Sequence, residues 1–231
     1  MKTPSLILGC AFLAISTLFA VERPWDPAEK WEGAIAAFEK EDAENPPADH
    51  PIVFTGSSSV RLWDLEAGWP GVNAINRGFG GSTIYDTIHF FDRTVAPYEP
   101  KAIVIYAGDN DVAKELSVDQ VVADYKKLAS MVKKQLPDTP LIYVAIKPSV
   151  KRWDMWPSMK AVNDRIAEIC AKEKNTHLFF ADIAAPMLKD TEDAPPPADL
   201  FVKDGLHLSP KGYAMWEEVV TEQLKAAGAL K

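Results

Sequence analysis

Ala102-Ile103-Val104-Ile105-Tyr106-Ala107 is an unbroken apolar run, and Gly108-Asp109-Asn110-Asp111 follows it at once. A strand with one wet face alternates apolar and polar residues. A strand covered on both faces does not. The run therefore predicts an inner strand of a parallel sheet, with helices above and below. Working outward, shorter β-rich apolar stretches lie at 52–55, 72–76, 141–146 and 177–182.

Helical patterns fill the gaps between these strands. Ser117 can cap a helix running to about 136, where Pro137 stops it. Residues 158–174 place Met159, Val162, Ile166 and Ile169 at helical spacing. Ser209-Pro210 joins a cap to a proline at the first helical position and starts a terminal helix to about 227. Another helix, 27–40, precedes the first strand, and a Pro-containing lead-in from Asp42 to His50 follows it. Strand–helix–strand alternation with short connections predicts an α/β protein, a doubly wound three-layer α/β/α sandwich. Pro195-Pro196-Pro197 reads as a surface loop within that single domain, because a chemically loaded block follows it directly.

The chain has 231 residues, 47% hydrophobic and 25% charged, enough for one domain with a full core. The net charge of −8 argues against nucleic acid and anionic membrane surfaces as partners. Lys2 is the only charge in residues 1–20, and 6–20 are apolar or small. That pattern predicts a signal peptide at 1–20 and a secreted or periplasmic protein. Cleavage is expected after Ala20, with Ala14-Ile15-Ser16 as a second option. Ile7-Leu8-Gly9-Cys10 loosely matches a lipid-attachment site, so anchoring at Cys10 is one alternative. An uncleaved membrane anchor is another. The expected organisation is 1–20 leader, 21–50 helix and lead-in, and 51–231 the α/β domain. Loss of the leader leaves Cys170 as the one cysteine, so no internal disulfide is expected. Its place on an apolar helical stripe predicts a buried, inert thiol.

Four blocks carry the chemistry. Gly56-Ser57-Ser58-Ser59 follows the first strand, at the end of a parallel sheet where ligands gather. Ser58 is the candidate nucleophile, with Ser57 as a turn residue and Ser59 as a helix cap. A Ser-rich turn alone is more often a cap than a catalyst. There is no Gly-x-Ser-x-Gly elbow and no phosphate-binding Gly-x-x-x-x-Gly-Lys. Asn76-Arg77-Gly78-Phe79-Gly80-Gly81 follows the second strand and offers backbone N–H groups at close range. Asn110, after the third strand, offers an amide donor. Asp109 and Asp111 beside it lack the other ligands of a calcium loop. Finally, Asp204 and His207 flank one turn just before a helix. A carboxylate on one ring nitrogen leaves the other to face a serine. His50, His89 and His177 have no such neighbours, and no histidine pair has zinc-site spacing. His89, beside Phe90 and Phe91, reads as packing.

Taken in order, these blocks resemble the SGNH hydrolases, also called the GDSL esterase/lipase family, over residues 51–224. The resemblance implies a flavodoxin-like sandwich with a five-stranded, mainly parallel sheet. It implies a Ser58–His207–Asp204 triad and no metal or other cofactor. It also implies an oxyanion hole from the backbone N–H groups of Ser58 and Gly81 and the side chain of Asn110, with Gly80 as the rival to Gly81. The aspartate that usually precedes the family's serine is Ser57 here, which can still accept a hydrogen bond within the turn. The Gly-Phe-Gly-Gly-Ser and Asp-Gly-Leu-His-Leu-Ser forms look like bacterial extracytoplasmic members and the platelet-activating-factor acetylhydrolase-like branch.

The implied activity is hydrolysis of carboxylic esters through an acyl-enzyme, lost below about pH 6.5 as a histidine base takes up a proton. No long apolar lid stretch is visible, so short acyl groups such as acetyl on a small molecule or carbohydrate are expected. Transfer of the acyl group to a sugar acceptor and lysophospholipase- or thioesterase-like activity are the alternatives. A non-catalytic carbohydrate-binding protein would lack a triad member, and none is missing. Trp153 and Trp156 are candidate sugar-stacking residues, although they can equally pack their own loop. Arg152 is a candidate contact for an acidic substrate group.

Overall fold

The computed structural model describes residues 23–172, 177–189, 191 and 193–231. The expected leader, its cleavage positions and Cys10 lie outside these residues. Five strands form one sheet: β1 Ile52–Gly56, β2 Ala74–Gly78, β3 Ala102–Tyr106, β4 Leu141–Val144 and β5 Leu178–Ala181. Their order is β2-β1-β3-β4-β5, and every pairing is parallel. This is the flavodoxin-like doubly wound order, whose switch point opens a crevice beyond β1 and β3.

The first helices are α1 Pro27–Glu44, α2 Ser58–Arg61, α3 Leu65–Gly68, α4 Ile84–His89 and α5 Phe91–Thr94. Beyond β3 come α6 Asp109–Ala113, α7 Val118–Gln135, α8 Trp156–Lys172, α9 Ala184–Leu188 and α10 Pro210–Ala226. Central β3 explains its own sequence. Val104 and Tyr106 enter one core layer with Phe54, Ile142, Trp216 and Val220. Ile103 and Ile105 enter the opposite layer with Tyr125, Leu128, Val162 and Ile166. Side chains alternate across a strand, so two apolar layers demand an apolar residue at every position. Each fully buried Ile or Val contributes about 1.5–3 kcal/mol.

Local signals place the long helices. Ser117 and Gln120 form a reciprocal capping box at the start of α7. Ser209 caps α10, with Pro210 at its first position. α1 runs to Glu44, past the expected end at 40, because no breaker intervenes before Asn45-Pro46 and Asp42 bonds Arg77 and Tyr98. Trp31 and Ile35 of α1 pack on Phe79 and Phe90. β2 begins two residues later than expected, since the Val72 N–H closes a turn on the Trp69 carbonyl. α8 starts earlier, at Trp156, and the expected end of that helix, 173–174, lies outside the described residues. Cys170 is only partly buried, and its Sγ lies 3.2 Å from Tyr125 Oη, which corrects the expectation of full burial. No helix among the described residues is long and apolar enough to cross a membrane.

Candidate active site

The parallel sheet delivers three of the four blocks to one edge, because β1, β2 and β3 all end there. Two glycines sit at these strand ends where no Cβ has room, one against a neighbouring backbone and one against packed side chains. At Gly56 (φ 119°) a Cβ would lie 2.0 Å from the Tyr106 carbonyl oxygen, and at Gly108 (φ 122°) 2.6 Å from Ile146 Cδ1. No side chain fits either position.

Ser58 opens α2, half-buried, between two buried serines. Its own N–H belongs to the first turn, where a helix has no internal acceptor. Ser57 holds the N-cap position, and its buried hydroxyl has no hydrogen-bond partner among the described residues. Ser59 lies inside the helix and accepts from Lys147 Nζ at 3.1 Å. Both neighbours therefore differ from the expected turn acceptor and cap: the helix starts two residues earlier than the sequence implied. Of the three hydroxyls, Ser58 alone meets a histidine.

His207 Nε2 lies 2.9 Å from Ser58 Oγ, and His207 Nδ1 lies 2.6 Å from Asp204 Oδ2. The other Asp204 oxygen accepts from the backbone N–H groups of Leu206 (2.8 Å) and His207 (2.9 Å). One tight turn thus fixes the carboxylate and the ring together. Because the carboxylate accepts, the ring proton belongs on Nδ1, and Nε2 is left to receive the serine proton. Partial burial works to raise the Asp204 carboxyl, but its bond to His207 and the two backbone donors draw it down to about 2. It stays ionised at any working pH.

The donor groups are held from behind. Trp31 Nε1 donates to the Gly80 carbonyl at 3.0 Å. The trans peptide then points the Gly81 N–H away from the Trp31 ring. Asn110 Nδ2 donates to the Ser82 carbonyl at 3.0 Å, and Asn110 Oδ1 accepts from an Arg152 terminal nitrogen at 3.0 Å. Among the described residues the second Nδ2 proton has no hydrogen-bond partner. Arg152 also bonds Asp109 Oδ2 at 2.9 Å, so the expected substrate contact already has two partners inside the chain. Trp153 and Trp156 stack with centroids 6.3 Å apart and planes at 13°, and both are half-exposed.

Sequence reasoning passed over Lys147. Its side chain is 1% exposed and bonds Ser59 Oγ, Tyr106 Oη and Asp109 Oδ2. The clue was its position, directly after the apolar stretch that forms β4, where a side chain enters the site. Burial works against the Asp109 charge, yet Lys147 and Arg152 hold its carboxyl below the usual carboxylate range. Asp111, two residues on, makes no ion pair among the described residues. Burial pushes it up to about 8, helped by the nearby charges of Asp124 and Asp109, against hydrogen bonds from the backbone N–H groups of Ile84 and Asp111 itself.

A family model described as GDSL-like lipase/acylhydrolase matches residues 55–215, from the end of β1 into α10. The chain belongs to the GDSL-like lipase/acylhydrolase family. It is a GDSL-type esterase, and its sheet is the one expected of that family. Comparison with curated proteins gives no match. Among solved structures, a GDSL-like lipase from Bacteroides thetaiotaomicron is 23% identical with a TM-score of 0.70, covering 84% of this chain and 99% of that one. A catalytic mutant of an acetylxylan esterase from Geobacillus stearothermophilus is 19% identical with a TM-score of 0.61, covering 77% and 96%. At these identities the two neighbours speak for the fold of a GDSL esterase.

Proposed function

We propose that this esterase hydrolyses short-chain acyl esters, acetyl groups on carbohydrate foremost, through Ser58, His207 and Asp204. The observation that carries the reading is the unbroken hydrogen-bonded line from Ser58 Oγ through the His207 ring to Asp204. As Oγ attacks the ester carbonyl carbon, His207 Nε2 takes its proton. The N–H groups of Ser58 and Gly81 and the free Asn110 amide proton receive the oxyanion. His207 then protonates the alcohol oxygen as its bond to carbon breaks, leaving an acyl-Ser58. Water, deprotonated by the same nitrogen, releases the acid, and Ser58 recovers its proton. Asp204 stabilises the imidazolium in both halves. The scheme uses protein groups and water alone.

Two observations support the acyl and alcohol preferences. The half-exposed indole of Trp153, backed by Trp156, offers aromatic surface of the kind on which sugar rings stack. A structural neighbour bears the name acetylxylan esterase. Secretion after removal of residues 1–20 completes the proposal and predicts a mature chain beginning near Val21.

Ser58→Ala with nitrophenyl acetate is the deciding experiment. Turnover is expected to vanish, and retained turnover removes Ser58 as nucleophile. A panel of acyl lengths on nitrophenol, with acetylated xylo-oligosaccharides alongside, tests the substrate class. A preference for long fatty chains defeats it.

A further inference from the structure

Arg152 sits where a substrate contact would be expected, but its hydrogen bonds go inward. One terminal nitrogen donates to Asp109 Oδ2 (2.9 Å) and the other to Asn110 Oδ1 (3.0 Å). Asp109 is itself anchored by buried Lys147, through the same oxygen. The backbone is arranged for this reach. Within the 3₁₀ segment Val150–Met155, Arg152 alone leaves helical angles (φ −120°, ψ 27°). The residue before it, Lys151, donates its N–H to the Gly205 carbonyl at 2.9 Å, inside the turn that carries Asp204 and His207.

An asparagine amide rotates about a broad, two-fold terminal torsion, and its oxygen and nitrogen differ little in size. In an oxyanion hole the two ends have opposite effects: N–H stabilises the developing charge, and C=O repels it. Arginine only donates, so it can meet only the oxygen end of Asn110. The Ser82 carbonyl only accepts, so it can meet only the nitrogen end. Between them, one orientation survives. A cation on the amide oxygen also polarises the group and strengthens the remaining N–H as a donor.

We infer that Arg152 is a positioning residue of the oxyanion hole, acting through Asn110 and tethered by Asp109, and that it does not read a charged group on the substrate. The inference rests on the proposed roles of Ser58 and Asn110, and the test keeps the two apart. kcat and KM are measured on nitrophenyl acetate and on anionic nitrophenyl hemisuccinate. The variants are Ser58→Ala, Asn110→Ala, Arg152→Ala, Arg152→Lys and the two Arg152 changes combined with Asn110→Ala. Asn110→Ala is expected to lower kcat by about 10²–10³-fold. Arg152→Ala is expected to lower kcat by about 10–100-fold on both esters, as misplacement of a catalytic group does, with KM within about twofold. In the Asn110→Ala background both Arg152 changes are expected to cost nothing further. Arg152→Lys keeps a cation at Asp109 and loses the fork, so its single-variant loss falls between wild type and Arg152→Ala. It also supplies the answer if Arg152→Ala melts at a lower temperature.

Multiplied losses in the double variants overturn the inference. So does a defect confined to KM for the anionic ester, which would make Arg152 a substrate contact, or an Arg152→Ala enzyme with unchanged kcat. Those results with an inactive Ser58→Ala leave the triad standing. An active Ser58→Ala removes the triad whatever Arg152 does.

Discussion

The Asp204–His207 turn and the Gly108–Asp111 turn both bring acids to the same edge of the sheet, one in the open and one enclosed. The Asp204 side chain is 46% exposed and that of Asp109 is 6% exposed. Among the described residues Asp204 bonds a single titratable side chain, the His207 ring proposed as the base. Asp109 meets two fixed cations, Lys147 and Arg152, and has no route to a reacting atom. Within the enclosed turn the contrast repeats. Asp109 and Asp111 share one short helix and similar burial, yet the first is held ionised and the second is pushed up to about 8. Burial alone favours the protonated acid, and paired cations reverse that. The open turn is thus built for chemistry that cycles, and the enclosed one for geometry that stays put.

The largest expected break in this comparison is Asp204→Asn. It leaves the wrong ring nitrogen carrying the proton, so kcat on nitrophenyl acetate should fall by about 10⁴-fold. Because the turn is exposed, the thermal midpoint should move by no more than a few degrees. Asp109→Asn should act mainly on stability, with a kcat loss no larger than that of Arg152→Ala, whose tether it weakens. It strands Lys147 in the interior, with a stability loss of about 3–5 kcal/mol, read as a lower urea midpoint at unchanged m-value. Next comes a pH effect. Between about pH 4 and pH 8, folded Asp111 keeps a proton that the unfolded chain has released. Stability therefore falls with rising pH across that window, by at most about 1.4 kcal/mol per unit, and the trend ends above it. Asp111→Asn should flatten that slope in urea titrations at pH 5, 6, 7 and 8. The smallest effect belongs to Ser57→Ala. Removing a buried hydroxyl without a partner should change stability by less than about 1 kcal/mol, in the favourable direction.

The parts legible in the sequence were those governed by neighbours along the chain. The 102–107 run announced a strand covered on both faces, and Ser117 and Ser209-Pro210 announced helix starts. Asp204 and His207 announced a pair because a three-residue turn suffices to join them. What stayed hidden depends on contacts between distant segments. Arg152 meets Asn110 across 42 positions. Lys147 meets Ser59 across 88. No local pattern records either, and a lysine carries so strong an expectation of exposure that its burial reads as an exception. The roles of Ser57 and Ser59 were misassigned for a smaller reason: three adjacent serines look alike until the first residue of α2 is known.

Gly56 and Gly108 carry a lesson about descent. Gly56 is forced by the Tyr106 backbone, 2.0 Å from where a Cβ would stand, and Gly108 by its positive φ beside the packed Ile146 side chain at 2.6 Å, and neither handles a proton. A descendant that gave up ester cleavage would still be obliged to keep them in order to fold. In a distant cousin, surviving glycines at these places would testify to inherited architecture. Only the serine, the imidazole and the paired acid would testify that the enzyme still works.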